Sequence, residues 1–281
     1  MRVVFAGLAR NCAHALPSIL NALEQLGSMV DDWGYVFLEN NSVDRTFGLL
    51  QRFDRTHRRG FVRSLGDLEQ DVPLRTQRLA MLRNRCITEI FADPHLATFD
   101  FLIVLDMDGV NEVIDRHRLV HLMDCRVPRW TGVFANQQNH YYDIWALRHR
   151  TWCPQDCWKQ VRLRPSSMSR QEAITEFVDR RKIRLDPHSG FVPVESAFGG
   201  LGLYRLQALR DCRYVGVDDE GQEICEHVSF HAAMGQKGGR LYIDTGLLNG
   251  RGNRPHDRGM GLLTRWKRSL ARSRARRQLV R

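Results

Sequence analysis

Short apolar runs alternate along this chain with longer segments that repeat apolar residues at helical spacing. Val3–Gly7 is a β-prone run that ends at a glycine, and Arg10–Leu26 then carries apolar residues on one helical face. Tyr35–Glu39 is a second β-prone run, followed by a predicted helix through Phe47–Phe53. This β-α-β-α alternation predicts a parallel sheet with helices packed on its faces.

The remaining segments extend this α/β pattern to about residue 250. The predicted elements are a helix at Arg75–Phe91, a buried strand at Asp100–Asp106, a helix at Arg116–Met123, a strand at Gly132–Ala135, an aromatic β-prone segment at Tyr141–Leu147, an irregular segment at Arg148–Met168, a capped helix at Ser169–Arg181, an apolar segment with glycines at Phe191–Tyr204, a helix at Cys225–Met234 and a strand at Arg240–Leu248. We therefore predict one domain over residues 1–250, Rossmann-like and mostly parallel, with a basic tail over 251–281.

Composition excludes a disordered or fibrous chain, and the position of the charge changes the meaning of the net charge. The 281 residues are 43% hydrophobic, enough for a sizeable core, and carry a net charge of +10. Residues 258–281 contain eight Arg, one Lys and no acid, so they supply +9 and leave +1 for the first 257 residues. A nucleic-acid-binding protein would spread basic and aromatic residues over its folded body, so this distribution argues against a nucleic-acid partner.

The basic tail has an amphipathic pattern of its own. Leu262, Leu263 and Trp266 alternate with arginines and a lysine, which is typical of a helix lying on an anionic membrane surface. A solvated disordered tail and a nucleic-acid contact are the alternatives.

Targeting signals and cysteine usage predict where the protein works. The apolar run at Met1–Leu8 is too short for a secretion signal, and no window reaches the roughly 18 uncharged apolar residues of a membrane span. Seven scattered cysteines without an export signal favour reduced thiols. We expect a cytoplasmic protein, or one bound peripherally to the inner face of the membrane through its tail.

The most informative motif is Asp106-Met107-Asp108. It follows the apolar strand at Asp100–Asp106 directly, and ligands of open α/β sheets bind outside the carboxyl ends of strands. Two carboxylates that converge there suit Mg²⁺ or Mn²⁺, which would neutralise a diphosphate leaving group. The alternative is a pair of solvated loop acids.

Other polar groups also follow predicted strands or lie on nearby helices. Asn40, Asn41 and Asp44 could bind a nucleoside or could form a capping turn, and Arg10 and Asn11 have the same ambiguity. Arginine is the usual residue for bidentate phosphate contacts, and the candidates of this kind on the helix before the acidic strand include Arg78 and Arg83.

Two later groups could contact a sugar or take part in proton transfer. Asn136, Tyr142, Asp143 and Trp145 combine amide, aromatic and carboxylate groups suited to a sugar, although a half-buried edge strand would also explain the aromatics. Glu226 starts a predicted helix and could act as a general base. The alternatives are an acid at an exposed helix N-terminus, or a metal site formed by His227 and His231.

Taken together, these motifs resemble the fungal capsule-associated α-1,3-mannosyltransferase family, which also has bacterial members. The stretches that carry the resemblance are Ala9–Cys12, Glu39–Ser42 with Asp44 and Thr46, Arg78–Ala80 with Arg83 and Asn84, Leu105–Val110, Ala135–Asn136, Tyr141–Arg148, Ser196–Gly200 and Cys225–His227. They occur in one order over nearly the whole of residues 3–250.

The resemblance implies a GT-A glycosyltransferase fold, with a nucleotide-sugar half at about 1–125 and an acceptor half at about 126–250. It implies Mn²⁺ or Mg²⁺ at Asp106 and Asp108, and a GDP-sugar donor in preference to a UDP-sugar. The implied reaction transfers mannose from GDP-mannose, with retention of configuration, to a carbohydrate or lipid-linked glycan acceptor. The implied donor-binding residues are Ala9, Arg10, Asn11, Glu39, Asn40, Asn41, Asp44, Arg78, Arg83, Asp106, Met107 and Asp108. The implied acceptor residues are Asn136, Tyr142, Trp145, Phe198, Gly199, Gly200 and His227, with Glu226 and Asp143 as catalytic candidates.

Three points stay open at the level of sequence. Distant relatives of the family have a late histidine as a metal ligand, and Asn249 or His256 could take that position here. A nucleotidyltransferase also uses paired aspartates, but it needs a lysine-bearing glycine-rich loop that Ala6–Asn11 does not provide. A basic nucleic-acid-binding or membrane-surface protein without catalysis is the remaining alternative.

Overall fold

A computed structural model describes residues 1–111 and 113–250 of the chain. The strands are β1 (Arg2–Ala9), β2 (Asp32–Glu39), β3 (Gly60–Ser64), β4 (Phe101–Asp106), β5 (Gly132–Asn136), β6 (Phe191–Val194), β7 (Leu201–Arg205) and β8 (Leu241–Leu248). The α-helices are α1 (Leu16–Gly27), α2 (Thr46–His57), α3 (Arg75–Ala92), α4 (Arg116–Asp124), α5 (Cys157–Arg162), α6 (Arg170–Phe177) and α7 (Glu226–Gln236). The predictions for the tail and for His256 lie outside the described residues.

The strands form one sheet of eight in the order β3-β2-β1-β4-β7-β5-β8-β6. Strands β1 to β4 are parallel neighbours, β7 runs antiparallel to both β4 and β5, and β5 pairs in parallel with β8. The edge strand β6 is antiparallel to β8. The sheet is therefore mostly parallel, as predicted, with β7 inserted antiparallel beside the strand that carries the aspartates.

Alternation of side chains along the buried strands divides the core between the two faces of the sheet. One face packs Val4, Val36 and Leu102 against α3 and α7, and the other packs Phe5, Phe37 and Ile103 against α1, α2 and α4. Strands with both faces covered read as continuous apolar runs, which explains why the sequence shows them clearly.

The carboxyl ends of β1, β2, β4, β5 and β8 lie at the same edge of the sheet because these strands run in one direction. The antiparallel β7 starts at that edge. Its pairing places Leu201 opposite Leu105, and the amide of Asp106 donates to the carbonyl of Gly200 at 2.9 Å. Loops that are distant in sequence therefore meet around Asp106.

The structure differs from the sequence predictions at several segments. One is Arg148–Met168, predicted to be irregular, which contains the short helix α5. Helix α1 begins at Leu16 rather than near Arg10. Asn11 is left-handed (φ 51°), and Pro17 lies in the first turn of the helix. The short strand β3 was not predicted, since only five residues pair there. The segment at Phe191–Tyr204 is two strands, separated by a turn at Gly199–Gly200.

The prediction of a β-prone segment at Tyr141–Leu147 was wrong, since these residues form turns and irregular chain. Tyr141 is fully buried, and its hydroxyl accepts a hydrogen bond from the amide of Phe198 at 3.2 Å. Packing of single aromatic side chains into the core, and not strand pairing, accounts for the aromatic character of this segment.

An ion pair that the sequence did not reveal holds α4 to β8. The guanidinium of Arg118 binds the fully buried carboxylate of Asp244 through two bonds of 2.6 and 2.7 Å. The pKa of Arg118 is raised, first by this hydrogen-bonded contact and also by the charge of Asp244. The pair fixes β8, and with it the start of the loop that contains Asn249.

The seven cysteines all lie in the described part of the chain and are free thiols, six of them buried. Within residues 1–111 and 113–250, none of the helices combines the length and the apolar character that crossing a bilayer requires.

Candidate active site

The loops after β1 and β2 are tied together by hydrogen bonds from their polar side chains. The amide of Asn11 donates to Ser42 Oγ (3.1 Å), and Asn11 Oδ1 accepts from the amide of Val43 (2.8 Å). Asp44 accepts from the amides of Ala13 (3.1 Å) and Thr46 (2.9 Å). A hydrogen bond from the Thr46 side chain, followed by the bonds from these amides, lowers the pKa of Asp44. Asp44 is therefore a charged group that connects the two loops.

Other predicted donor residues line the same edge. Ala9 and Asn40 are buried, Asn41 is left-handed with φ 53°, and the buried carboxylate of Glu39 accepts from the amide of Ser42 at 2.6 Å. The β3–α3 loop closes this side, because Arg10 pairs with Glu69 across 3.3 Å. The three loops form a preorganised wall beside the end of β4.

The two aspartates of the motif stand at the end of β4, while the residue between them points into the core. The side chain of Asp106 is 33% exposed, and Asp108 is exposed. Met107 is fully buried, and its Cγ and Sδ lie where a Cβ on Gly7 would be. The side chain of Met107 therefore packs against β1, and only its backbone remains available to a donor.

A buried arginine connects Asp106 to Glu226. Arg83 on α3 donates from Nε to Glu226 Oε1 at 3.0 Å and from a terminal nitrogen to Asp106 Oδ1 at 3.3 Å. The side chains of Arg83 and Glu226 are each only 6% exposed. Burial alone would lower the pKa of Arg83, but the two carboxylates outweigh it and raise the pKa, so the guanidinium remains charged.

An aromatic cluster holds this guanidinium in place. The ring of Phe198 lies 5.0 Å from the Arg83 guanidinium carbon, and that of Tyr214 lies 6.0 Å away. His227 stacks on Phe198 with ring centroids 3.9 Å apart. Burial, reinforced by the charge of Arg83, lowers the pKa of His227 well below its ordinary value, so its ring is neutral.

The two histidines of α7 do not form a metal site. His231 is fully buried, and its ring nitrogens contact Ser196 Oγ (2.8 Å) and the hydroxyl of Tyr204 (3.0 Å). Burial lowers the pKa of His231 to about 3. The ring nitrogens of His227 have no hydrogen-bond partner among the described residues, and they are buried.

A turn of two glycines joins the Asp106 loop to the segment that follows β5. Gly199 and Gly200 both have positive φ values, 65° and 86°. Asp143 accepts from the amide of Gly199 at 3.0 Å, and the carbonyl of Gly200 accepts from the amide of Asp106 at 2.9 Å. A Cβ on Gly200 would lie 3.2 Å from the hydroxyl of Tyr142. The predicted acceptor residue Tyr142 therefore lies at this turn, beside Gly199 and Gly200.

We expect Gly200→Ala to destabilise the fold by about 1–3 kcal/mol and to weaken nucleotide binding, because it adds backbone strain and its Cβ would overlap Val110. Gly221→Ala is the matched control, since Gly221 has φ 74° and open space around its Cβ position. Denaturant unfolding of both variants separates the cost of backbone strain, which both share, from the cost of overlap with Val110, which only Gly200→Ala has. Equal losses for the two would contradict a tightly packed turn at Gly200.

Three amide side chains, which we name the amide chain, link β5 and β8 to the Asp106 loop. Gln137 Nε2 donates to Asn249 Oδ1 (3.2 Å), and Asn249 Nδ2 donates to Asn111 Oδ1 (2.8 Å). Asn111 Nδ2 then donates to the carbonyls of Asp106 (2.8 Å) and Gly200 (3.0 Å). Sequence reasoning missed Gln137 and Asn111, although each lies within three residues of a candidate.

The predicted role of Asn249 as a metal ligand does not match these contacts. Asn249 is 1% exposed, its Nδ2 donates twice, and its Oδ1 is already hydrogen-bonded to Gln137. The side chain is therefore a structural link in the amide chain and supports the Asp106 loop from behind.

We expect Asn249→His to lower the Mn²⁺ affinity and to cost about 1–3 kcal/mol of unfolding free energy, since it leaves buried groups without partners. Metal titration and denaturant unfolding measure the two effects. A histidine that bound the metal would instead raise the Mn²⁺ affinity, and that result would return residue 249 to the list of ligands.

Three predicted site residues have other contacts. Arg78 is buried and donates to the carbonyl of Val72 at 2.6 Å, so it holds the β3–α3 loop. Asn136 is fully buried and donates to the carbonyl of Thr245 at 2.9 Å. Trp145 donates from Nε1 to Asp156 at 3.0 Å and belongs to the region around α5.

The chemistry of the donor set at β4 fits Mg²⁺ or Mn²⁺. Two carboxylates at one loop, one partly exposed and one exposed, match the way Mg²⁺ is usually held in phosphate-binding sites. No group of three or more His, Cys, Asp or Glu side chains converges among the described residues, so a closed structural metal site is not formed there.

Comparisons with known proteins identify the fold. No model of a known protein family matches the sequence, and no curated protein matches it. The crystal structure of S. aureus TarS residues 1–349 matches 86% of this chain with 13% identity and a TM-score of 0.50. A mannosyltransferase from Pyrobaculum calidifontis, PcManGT, in complex with GDP-Man and Mn²⁺ matches 86% of the chain with 13% identity and a TM-score of 0.48.

A third similar structure is the glucosyl-3-phosphoglycerate synthase of M. tuberculosis, which matches 91% of the chain with 14% identity and a TM-score of 0.44. The chain spans 58% of TarS 1–349 and 56% of the mannosyltransferase, less than two thirds of either. Structures at such low sequence identity are evidence for the fold of this chain and not for its function. The sheet order and the match to TarS show that the chain has a GT-A fold, a mostly parallel sheet flanked by helices.

Proposed function

We propose that this chain is a metal-dependent glycosyltransferase that moves a sugar from a nucleoside diphosphate to a glycan acceptor. The observation that carries the proposal is the position of Asp106 and Asp108 at the carboxyl end of β4, where the parallel strands meet the antiparallel β7. Ligands of open α/β sheets bind at such a point. Because a fold alone does not determine function, the argument depends on the side chains at this edge.

Asp106 and Asp108 would hold Mn²⁺ or Mg²⁺ through their carboxylates. Such an ion neutralises the negative charge that develops on the departing nucleoside diphosphate. The amide chain and the Gly199–Gly200 turn fix the backbone of the Asp106 loop. These supports keep the two carboxylates in place when the donor binds.

Arg83 would supply a second, permanent positive charge beside the leaving group. It is held by Glu226 on one side and stacked on Phe198, so its orientation costs little to maintain during the reaction. We assign Glu226 to positioning Arg83, since Oε1 of Glu226 already accepts from this guanidinium at 3.0 Å. Asp143 likewise acts as a positioning residue, through the amide of Gly199.

The loops after β1, β2 and β3 would bind the nucleoside, which assigns the donor to residues 1–125. The resemblance to the capsule-associated mannosyltransferases supports GDP-mannose as the donor, with retention of anomeric configuration. Residues 126–250 would bind the acceptor, with the partly exposed Tyr142 at the glycine turn as a contact. The predicted acceptor roles of Phe198 and His227 do not fit, because both side chains are buried in the cluster beside Arg83. A cytoplasmic location, with the basic tail on an anionic membrane surface, completes the proposal.

An assay of donor turnover tests the proposal. The full-length protein is incubated with GDP-mannose, GDP-glucose, UDP-glucose or UDP-N-acetylglucosamine, with Mn²⁺, Mg²⁺ or chelator, and the released nucleoside diphosphate is measured. We expect release from GDP-mannose above the other donors, and only with metal. Proton NMR of the freed or transferred sugar then reports the anomeric configuration. Absence of release from every donor, with and without candidate glycans, would contradict the proposed reaction.

A further inference from the structure

A concave site lies between α5 and α6. Its volume is about 370 Å³, at the small end of the range for ligand pockets. The lining is Gln155, Asp156, Lys159, Gln160, Leu163, Arg164, Pro165 and Phe177. Leu163 lies at the rim and is 73% exposed. Its side chain therefore contributes little to the stability of the fold through burial.

The polar groups of this pocket are predominantly cationic. Residues 157–171 contain Lys159, Arg162, Arg164 and Arg170 and no acid. The one lining carboxylate, Asp156, already accepts from Trp145 Nε1, Arg148 and the amide of Lys159, at 3.0, 3.0 and 2.8 Å. Its charge is therefore neutralised by the ion pair with Arg148, and the pocket keeps an excess of positive charge.

Two of these cations are placed to hold an anion. Arg164 is oriented by its own backbone contacts, from Nε to the carbonyl of Met168 (3.2 Å) and from Nη1 to the carbonyl of Val161 (3.1 Å). Lys159 is exposed on α5 and makes no ion pair with the residues that the structure describes. A phosphate at the rim would meet one preorganised and one mobile cation.

Gln160 has a buried side-chain oxygen at the wall of the pocket. Its Oε1 has no hydrogen-bond partner within the described part of the chain. Buried acceptors in native structures nearly always have a donor, so such an atom is typical of a site for an ordered interior water. Gln160 lines the pocket beside Lys159.

The pocket is connected to the candidate active site through one short segment. Trp145, which donates to Asp156, is two residues from Asp143, and Asp143 accepts from the amide of Gly199 at the glycine turn. Hydrogen bonds at both ends of this segment therefore link the wall of the pocket to the glycine turn beside Asp106.

We propose that this pocket binds the lipid phosphate of a lipid-linked acceptor, with the hydrocarbon chain on Leu163, Pro165 and Phe177 and the phosphate at Lys159 and Arg164. This inference rests on the proposed transfer to a glycan acceptor and names the class of acceptor. The apolar lining favours a hydrocarbon over a sugar ring, and the cationic rim favours a phosphate over a neutral head group.

Calorimetric titration of the full chain with geranyl phosphate tests the proposal, with geraniol and inorganic phosphate as separate probes. We expect geranyl phosphate to bind at least tenfold more tightly than either probe. Lys159→Glu and Leu163→Asp should each weaken its binding about tenfold or more, because one removes a phosphate contact and the other the apolar rim. Arg52→Glu, an exposed arginine on α2, is the matched control for charge and should bind as the wild type does.

Two results would overturn the pocket as the lipid-phosphate site. Equal binding of geranyl phosphate by the wild type, Lys159→Glu and Leu163→Asp would place any binding elsewhere, the basic tail included. Equal affinity for inorganic phosphate and geranyl phosphate would reduce the site to a basic patch. An Asp108→Asn variant should still bind geranyl phosphate, so failure of the metal site and failure of this pocket are distinguishable.

Discussion

Asp108→Asn is expected to reduce metal-dependent release of nucleoside diphosphate by roughly 10³-fold, because the substitution removes one of two anionic ligands of the divalent ion. The expected size follows from the several kcal/mol that a metal contributes to charge stabilisation, at about 1.4 kcal/mol for each factor of ten. Asp108 is exposed, so the fold should be unchanged. Initial rates at saturating Mn²⁺ and donor provide the measurement.

Asp124→Asn is the matched control for this prediction. It removes one exposed carboxylate from the last turn of α4, away from the carboxyl edge of the sheet, and should leave the rate unchanged. A comparable loss in both variants would mean that net charge, and not metal binding, sets the rate. An Asp108→Asn protein with wild-type turnover would remove the motif from the reaction.

Glu226→Ala should lower the unfolding free energy by about 3–5 kcal/mol, because it leaves the buried guanidinium of Arg83 without its closest counter-charge. Glu226→Gln keeps a hydrogen-bond acceptor for Arg83 and should cost less, about 1–3 kcal/mol. Both variants should also lower kcat more than they change the donor KM, since Arg83 would lose its orientation beside the leaving group. Urea unfolding and steady-state kinetics measure the two effects.

The exposed residue Glu220 offers the control, and Glu220→Ala should change stability by less than about 0.5 kcal/mol. If Glu226→Ala were no more destabilising than Glu220→Ala, the Arg83–Glu226 pair would not be an important internal contact. A Glu226→Gln variant with intact folding and Arg83 geometry but no turnover would support a direct catalytic role for Glu226 instead.

The sequence predicted the fold class well because the buried strands leave a strong pattern. Strands β1, β2 and β4 are covered on both faces, so each is a continuous apolar run followed by polar residues at the edge. The aspartate pair was selected as a candidate for the same reason, because it directly follows the apolar run of β4. Segments held by single buried side chains, such as that at Tyr141–Leu147, have no periodic pattern, and the β-prone prediction there was wrong.

The partners of the candidate residues could not be read from the sequence. Arg83 and Glu226 are separated by 143 positions, and their pairing depends on how α3 and α7 pack on one face of the sheet. Asn249 meets Asn111 across 138 positions, and Asp244 meets Arg118 across 126. A single sequence identifies residues that could bind a metal or a phosphate, but tertiary packing decides which are ligands and which are supports.

The central claim is that a divalent ion joins a nucleoside diphosphate to Asp106 and Asp108, and calorimetric titration of GDP and UDP into the purified chain tests it most directly. Titrations are run with Mn²⁺ and with chelator, on the wild type and on Asp108→Asn. The account predicts binding of GDP in preference to UDP, only in the presence of Mn²⁺, and its loss in the variant. Nucleotide binding that is equally strong in chelator, or that survives in Asp108→Asn, would contradict the account.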